Sequence, residues 1–232
     1  MSGSVLAASV PVGPLRLSLH ALANVLLGAA LGLVAYVGVT DAVNYLDQSA
    51  LRTQLVASVL GNSVVSPAQP VLMDFSGWDA ADGGYWGSLA RGGAFGRLVI
   101  EKMGLDTVVV KGTAAGDLRR GPGWITTTDL PGATGNVGIS GHRTTYGHPF
   151  GSLDVLTSGD TIDLYSPYRR YRYQVVRIFA VTPDHVEVVA HTEDPMLTLT
   201  ACHPPYSARE RLIVQARLVD VRRLEGSGES AK

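Results

Sequence analysis

Residues 17–40 contain no Asp, Glu, Lys or Arg, and the stretch Ala21 to Thr40 is 20 residues long. At about 1.5 Å per residue that makes about 30 Å of helix, one bilayer core. Gly28 and Gly32 inside the run suit a membrane helix better than a soluble one. A cleaved signal peptide would show an apolar core of about 7–15 residues and then an A-x-A-like site. Neither fits, so the pattern predicts an uncleaved anchor. From Asn44 to about Leu60, Leu46, Leu51, Leu55 and Val59 recur near helical spacing, which extends the anchor into an amphipathic helix. Residues 61–93 are rich in Gly, Ser, Pro, Asp and Ala around Trp78, Tyr85 and Trp86, the pattern of a spacer with little regular structure. Those aromatics are expected on a membrane surface or packed against the folded domain. From Ala94 the pattern changes to short apolar runs bounded by Gly, Pro and Asp. Arg97–Ile100, Thr107–Val110, Val137–Ile139, Thr161–Tyr165, Tyr171–Val181, His185–Val189, Leu197–Cys202 and Leu212–Leu218 read as strands. A short helix or turn is expected over Asp117–Trp124 and a helical turn within Tyr146–Leu156. Many short strands separated by turn residues argue for an all-β barrel or sandwich.

The chain of 232 residues is long enough for one full core plus an appendage. The pattern divides it into a tail 1–16, an anchor 17–40, a helix and spacer 41–93, a folded domain 94–221 and a disordered tail 222–232. Net charge is −1, so there is no electrostatic footprint for nucleic acid. Sixteen arginines against three lysines are a compositional bias and not a patch. Arg16 precedes the apolar span while Asp41 and Asp47 follow it. The positive-inside rule then leaves the N-terminus in the cytoplasm and the bulk of the chain outside.

The single cysteine, Cys202, excludes an intrachain disulfide and any Cys-rich zinc site. It ends an alternating run, where its sulfur would reach the rim of a sheet. Pro204, Pro205 and Ser207 make a loop, and alternation resumes at Leu212, Val214, Ala216 and Leu218. An antiparallel hairpin would return Arg211 beside Cys202, where a guanidinium favours a thiolate and can bond a carbonyl oxygen. Arg209, two residues away, would share that face of a strand, and spacing does not choose between them. The competing reading of a lone cysteine is a buried structural thiol. His142 closes the other strand, after Gly141, and supplies the second member of a Cys/His pair.

Gly141-His142-Arg143-Thr144-Thr145-Tyr146-Gly147, with Pro149-Phe150 and Leu153-Asp154, resembles the sortases, and class E sortases most closely. The run Leu199-Thr200-Ala201-Cys202-His203-Pro204, with an arginine nine residues after the cysteine, carries the second half of the resemblance, which covers about residues 93–221. It implies a closed eight-stranded β-barrel and a membrane-anchored cysteine transpeptidase at the outer face of a Gram-positive membrane. Cys202 would form a thioester, His142 would carry the proton, and Arg211 would hold the carbonyl oxygen. Thr200 and Ala201 would meet the substrate. The implied substrates are C-terminal sorting signals, of Leu-Ala-x-Thr-Gly type in class E, cut between Thr and Gly. The acceptor would be a peptidoglycan-precursor amine or, in a pilin-polymerising enzyme, a lysine of a pilin. No cofactor or metal is implied. His142, Cys202, His203 and Asp154 match no zinc signature, and Asp184 and Glu187 are too sparse for a calcium cluster. His148, His185 and His191 read as loop or turn histidines. The Ser-His-Gly-Cys motif of L,D-transpeptidases is absent. A non-enzymatic membrane-anchored β-domain would account for the anchor and strands but not for the His, Cys and Arg set.

Overall fold

A computed structural model describes residues 14–57 and 73–224. The expected N-terminal tail, Val59, the first part of the spacer (61–72) and the C-terminal tail fall wholly or largely outside them. The chain separates into a unit of residues 1–39 and a compact unit of residues 40–232. In the first, the helix α1 (Pro14–Ala57) begins. It contains a stretch of mean hydropathy 2.1 that is long and apolar enough to cross a membrane. Leu22, Leu26, Leu33 and their neighbours in the first unit are exposed around the whole helix, as expected where lipid and not protein covers the side chains.

The second unit is a closed barrel. Its strands are β1 (Ala94–Ile100), β2 (Leu105–Lys111), β3 (Gly123–Trp124), β4 (Asn136–Ser140), β5 (Thr161–Tyr165), β6 (Arg169–Val181), β7 (Met196–His203) and β8 (Glu210–Arg223). They close in the order β1-β2-β3-β4-β7-β8-β6-β5. Alternation along β7 puts Leu197, Leu199 and Ala201 in the core, where they meet Val137 and Ile139 of β4 and Val214 and Ala216 of β8. Thr198, Thr200 and Cys202 therefore face outward. The helix α3 (Ala115–Arg120) lies between β2 and β3, and a 3-10 turn forms at Leu153–Val155 as the pattern predicts.

The barrel has eight strands, but one of them is not where the hydrophobic pattern places it. Val186–Val189 is a 3-10 helix, closed by bonds such as Ala190 N–H to Glu187 O at 3.0 Å. Its β-branched residues suit a pleated surface only where a neighbouring strand edge is free. Here the Val188 carbonyl instead accepts from Asn136 Nδ2, Thr198 Oγ1 and Gln215 Nε2 at 3.1, 3.3 and 2.9 Å. The eighth strand is Gly123–Trp124, read from sequence as the end of a helix or turn. Two residues are too few for a periodic signal, yet they pair with both β2 and β4.

The expected spacer also needs correction. Residues 73–93 are packed on the barrel, through a π-helical turn at Asp79–Gly83 and the helix α2 (Gly84–Ser88). Trp86 is buried and stacks on Phe95 at 5.2 Å, which stacks on Trp124 at 4.9 Å. Trp78 Nε1 donates to Pro131 O at 2.8 Å and Tyr171 Oη at 2.9 Å. Asp82 forms an ion pair with Arg169, and both side chains have no solvent exposure. Ser166 Oγ donates to the same carboxylate, and Arg169 Nε donates to Asp74 O at 3.0 Å. Low Gly/Ser complexity masked these contacts, because they are made by single residues rather than by a periodic face. At the other end, Arg222 and Arg223 pair with β6 and belong to the barrel. Along the second half of α1, Leu51 and Leu55 are buried against Ala94, Val108 and Val110, but Leu46 is 65% exposed and lies off that face.

Removing one member of a buried pair strands the other charge. Asp82→Ala is expected to cost about 3–5 kcal/mol, read by urea unfolding, and Asp82→Ala with Arg169→Met should recover most of it. A loss under about 1 kcal/mol, the scale of a surface pair, would contradict a closed, dry contact.

Candidate active site

The site is assembled where β4 and β7 run parallel. Their register pairs Gly138 with Thr198 and Ser140 with Thr200, and Gly141 N–H continues it by donating to Thr200 O at 3.0 Å. The residues that follow each strand therefore leave the barrel at one rim, with His142 after β4 and Cys202 near the end of β7. Gly141 lies flat against Phe150, and a Cβ there would stand 2.6 Å from the Phe150 ring. That close approach requires glycine just before His142. The turn is closed by Phe150 N–H to His142 O at 3.0 Å and His148 N–H to Thr145 O at 2.9 Å. His142 is half-buried beside Tyr146, with ring centroids 5.2 Å apart. Burial holds its imidazole below the ordinary value of 6.5.

The β7–β8 hairpin places Arg211 directly opposite Cys202. Directly opposed residues of an antiparallel pair share a face, so both project outward. Arg211 Nη1 donates to Ala208 O at 3.1 Å and Glu210 O at 3.0 Å. Arg209 lies outside β8 in the connecting loop and is exposed, so only one of the two arginines has a strand register with Cys202. Cys202 is partly buried and its thiol is free. Thr200 is half-buried on the same face. The Ala201 methyl is in the core at 2% exposure, so the side chain of this expected substrate contact is turned away from the rim.

A group of residues that spacing alone did not single out ties the two strand ends together. Arg143 is 4% exposed. Its Nη1 approaches His203 Nδ1 at 2.8 Å and donates a long bond to Cys202 O at 3.5 Å, and its Nη2 meets Asp154 Oδ2 at 2.8 Å. A guanidinium has no acceptor, so His203 Nδ1 accepts and the neutral ring carries its proton on Nε2. Arg143 thus links the His142 loop to the main chain of Cys202, and its Nε is buried without a partner. The sequence signal was an arginine next to His142 and a histidine next to Cys202. Their meeting depends on the parallel pairing. His148 is exposed; His185 contacts Thr182 at 2.8 Å and His191 contacts Asp129 at 3.1 Å, both exposed and within the loop after β6. Beneath that loop is a cavity of about 420 Å³ lined by residues including Asn136, Arg177, Phe179, Val188 and Gln215.

The sortase domain family model matches residues 98–219. Among curated proteins, sortase SrtE1 of Streptomyces coelicolor is 33% identical over 109 residues, 41% of this chain and 30% of that protein. Sortase D of Bacillus subtilis is 32% identical over 114 residues, 49% of this chain and 56% of that protein. The chain therefore spans from under a third to just over half the length of these relatives. Among solved structures, sortase E1 from Streptomyces coelicolor with a tripeptide in the active site superposes with a TM-score of 0.55 at 26% identity, covering 62% of this chain and 99% of that one.

The lowered His142 value sets a stability dependence. The unfolded chain takes up this proton near pH 6.5 and the folded chain only lower, so folding stability falls as pH drops below 6.5 and levels off at the folded value. Above 6.5 the group contributes no slope. His142→Gln should flatten that part of the profile in urea melts taken between pH 7.5 and 5; unchanged slopes would mean the imidazole is as well solvated as in the unfolded chain.

Proposed function

This chain belongs to the sortase family, and we propose that it is a membrane-anchored cysteine transpeptidase that cleaves a Leu-Ala-x-Thr-Gly-like sorting signal between Thr and Gly and joins the threonine carbonyl to a cell-wall amine. The observation that carries the reading is the pairing of Cys202 with Arg211 across β7 and β8, one strand away from the rim where His142 emerges. The likeness to class E proteins supports the choice of signal.

In this mechanism the Cys202 thiolate attacks the threonine carbonyl carbon, forming a C–S bond while the carbonyl electrons move onto oxygen. Arg211 turns from the Ala208 and Glu210 carbonyls to hold that oxyanion, a charge that exists only in the transition state and intermediate. The C–N bond then breaks, and the His142 imidazolium delivers its proton to the departing glycine amine. The products are a thioester and a neutral imidazole. An acceptor amine attacks the thioester, gives its proton to His142, and expels the Cys202 thiolate, which returns the site to its starting state. Because burial disfavours the imidazolium, His142 gives up its proton readily at neutral pH. Thr200, on the same outward face as Cys202, lies where a peptide would align. The domain would lie outside the membrane, with Arg16 on the cytoplasmic side of the span.

Cys202→Ala is expected to abolish cleavage of a Leu-Ala-Ser-Thr-Gly peptide, and His142→Ala to come close to that. Arg211→Ala should lose about 10²–10³-fold, the scale of one oxyanion donor, and Arg211→Lys should recover little because an ammonium lacks the planar fork. Arg209→Ala should stay near wild type. Activity in Cys202→Ala, or a larger defect at Arg209 than at Arg211, would overturn the assignment, and mass spectrometry should find the peptide's N-terminal part on Cys202. A small cross-bridge amine should resolve that thioester faster than a folded pilin lysine.

Protease added to intact protoplasts should remove residues 41–232. Full protection of the domain, or a mature N-terminus near residue 41, would contradict the topology.

A further inference from the structure

The second half of α1 touches the barrel through residues spaced three and four apart: Asp41, Asn44, Gln48, Leu51 and Leu55. Leu51 and Leu55 are buried with Ala94, Val108 and Val110. Gln48 uses its whole amide. Its Nε2 donates to Val108 O at 3.0 Å and Arg120 O at 2.7 Å, and its Oε1 accepts from Val108 N–H at 2.8 Å and Thr107 Oγ1 at 2.9 Å. These three residues dock the helix, with Arg52 pairing Asp106 and Asp47 facing Arg120 beside them. Asp41 and Asn44 do something different, since both reach the loop that carries His142.

Asp41 Oδ1 accepts from Gly147 N–H at 3.0 Å. Asn44 Nδ2 donates to Arg119 O at 3.0 Å, and its Oδ1 lies where any Cβ on Gly147 would collide with it. The Arg119 guanidinium sits 5.9 Å from the Tyr146 ring, and the Tyr146 ring is 5.2 Å from that of His142. The loop itself is unfavourable on its own. Tyr146, Gly147 and His148 have φ of 51°, 71° and 36° in succession. Left-handed backbone at two non-glycine residues persists only where surrounding contacts impose it. The helix supplies those contacts at the centre of the strained run.

We propose that Asp41 and Asn44 are positioning residues for the transfer reaction: through Gly147, Arg119 and Tyr146 they hold the His142 ring at the rim beside Cys202. The helix that leads out of the apolar span is then part of the catalytic scaffold as well as a tether. The inference rests on the reading of His142 as proton carrier. Proton transfer is sensitive to placement, and a misplacement of about 1 Å caused by a mutation far from the chemistry costs on the order of 10²-fold.

The test uses the full chain in nanodiscs and a fluorogenic Leu-Ala-Ser-Thr-Gly peptide. Asp41→Ala with Asn44→Ala should lower kcat by about 10- to 100-fold with KM little changed, and should broaden or split the His142 ring signals in a histidine-labelled NMR spectrum. Asp41→Asn keeps the Oδ1 acceptor and should retain most activity. Arg52, on the same helix, makes an exposed pair with Asp106 of β2, and Arg52→Ala should change neither readout. A purely structural role would lower the melting temperature and leave both kcat per folded molecule and the His142 signals at wild-type values, which would overturn the proposal. His142→Ala in the same assay separates the two readings. If it is fully active, the catalytic assignment fails; if it is inactive while the Asp41, Asn44 double variant matches wild type, only the positioning role fails.

Discussion

Parallel pairing of β4 with β7 is the constraint on which the rest of the site depends. Two parallel neighbours end at the same rim, so residues 142 and 202, sixty positions apart in the chain, emerge side by side. Parallel neighbours need a long crossover connection, and here the chain between them supplies β5, β6 and the loop over the outer face. The antiparallel β7–β8 hairpin then adds Arg211 with no further device, because opposed residues on such strands share a face. One parallel and one antiparallel pairing therefore gather three side chains of different chemistry on one edge.

A closed barrel also fixes what cannot move. Core residues alternate inward along β7 and β8, so a one-residue slip of β7 would turn Cys202 into the core and Ala201 out to the rim, and one of β8 would turn Arg211 inward. The Asp82–Arg169 pair secures the segment before β1, and the stacked Trp86, Phe95 and Trp124 rings fill the space beneath it. Rigidity in the strands contrasts with the loop after β4, whose left-handed residues are favourable only in the company of Asp41, Asn44 and Arg119. Arg143 performs a comparable service from below, joining that loop to Cys202 O and to His203. Both arrangements place precision on the side chains around the loop and not on its own backbone preference.

Much of this was legible in the residues themselves. A charge-free run of bilayer length, strands that alternate with period two, and the register expected of a hairpin closing on Cys202 follow from local side-chain chemistry, which is why the structure reproduces them. The two long motifs identified the family and with it the barrel, since Gly141-His142-Arg143 and Leu199-Thr200-Ala201-Cys202 are specific in residue type and order. Periodicity failed where the deciding contacts were not periodic. Val186–Val189 has the composition of a strand, yet three side chains from β4, β7 and β8 converge on one of its carbonyls. Gly123–Trp124 has no pattern, yet it fills the gap between β2 and β4.

What the sequence by itself determined about this protein is the apolar span, the all-β class and the two motifs that carry the proposed Cys202, His142 and Arg211 set, because each depends on neighbours in the chain or on a residue's own chemistry. Tertiary structure alone decided that Arg209 stays in the loop outside the Cys202 register, that residues 73–93 cap the barrel, and that Arg143, Asp41 and Asn44 reach the loop that carries His142. The cap and the links to that loop are set by contacts between residues far apart in the chain. A hydrogen bond or ion pair across such a distance leaves no period in the sequence, since it forms only after the strands have closed and brought its two ends within 3 Å.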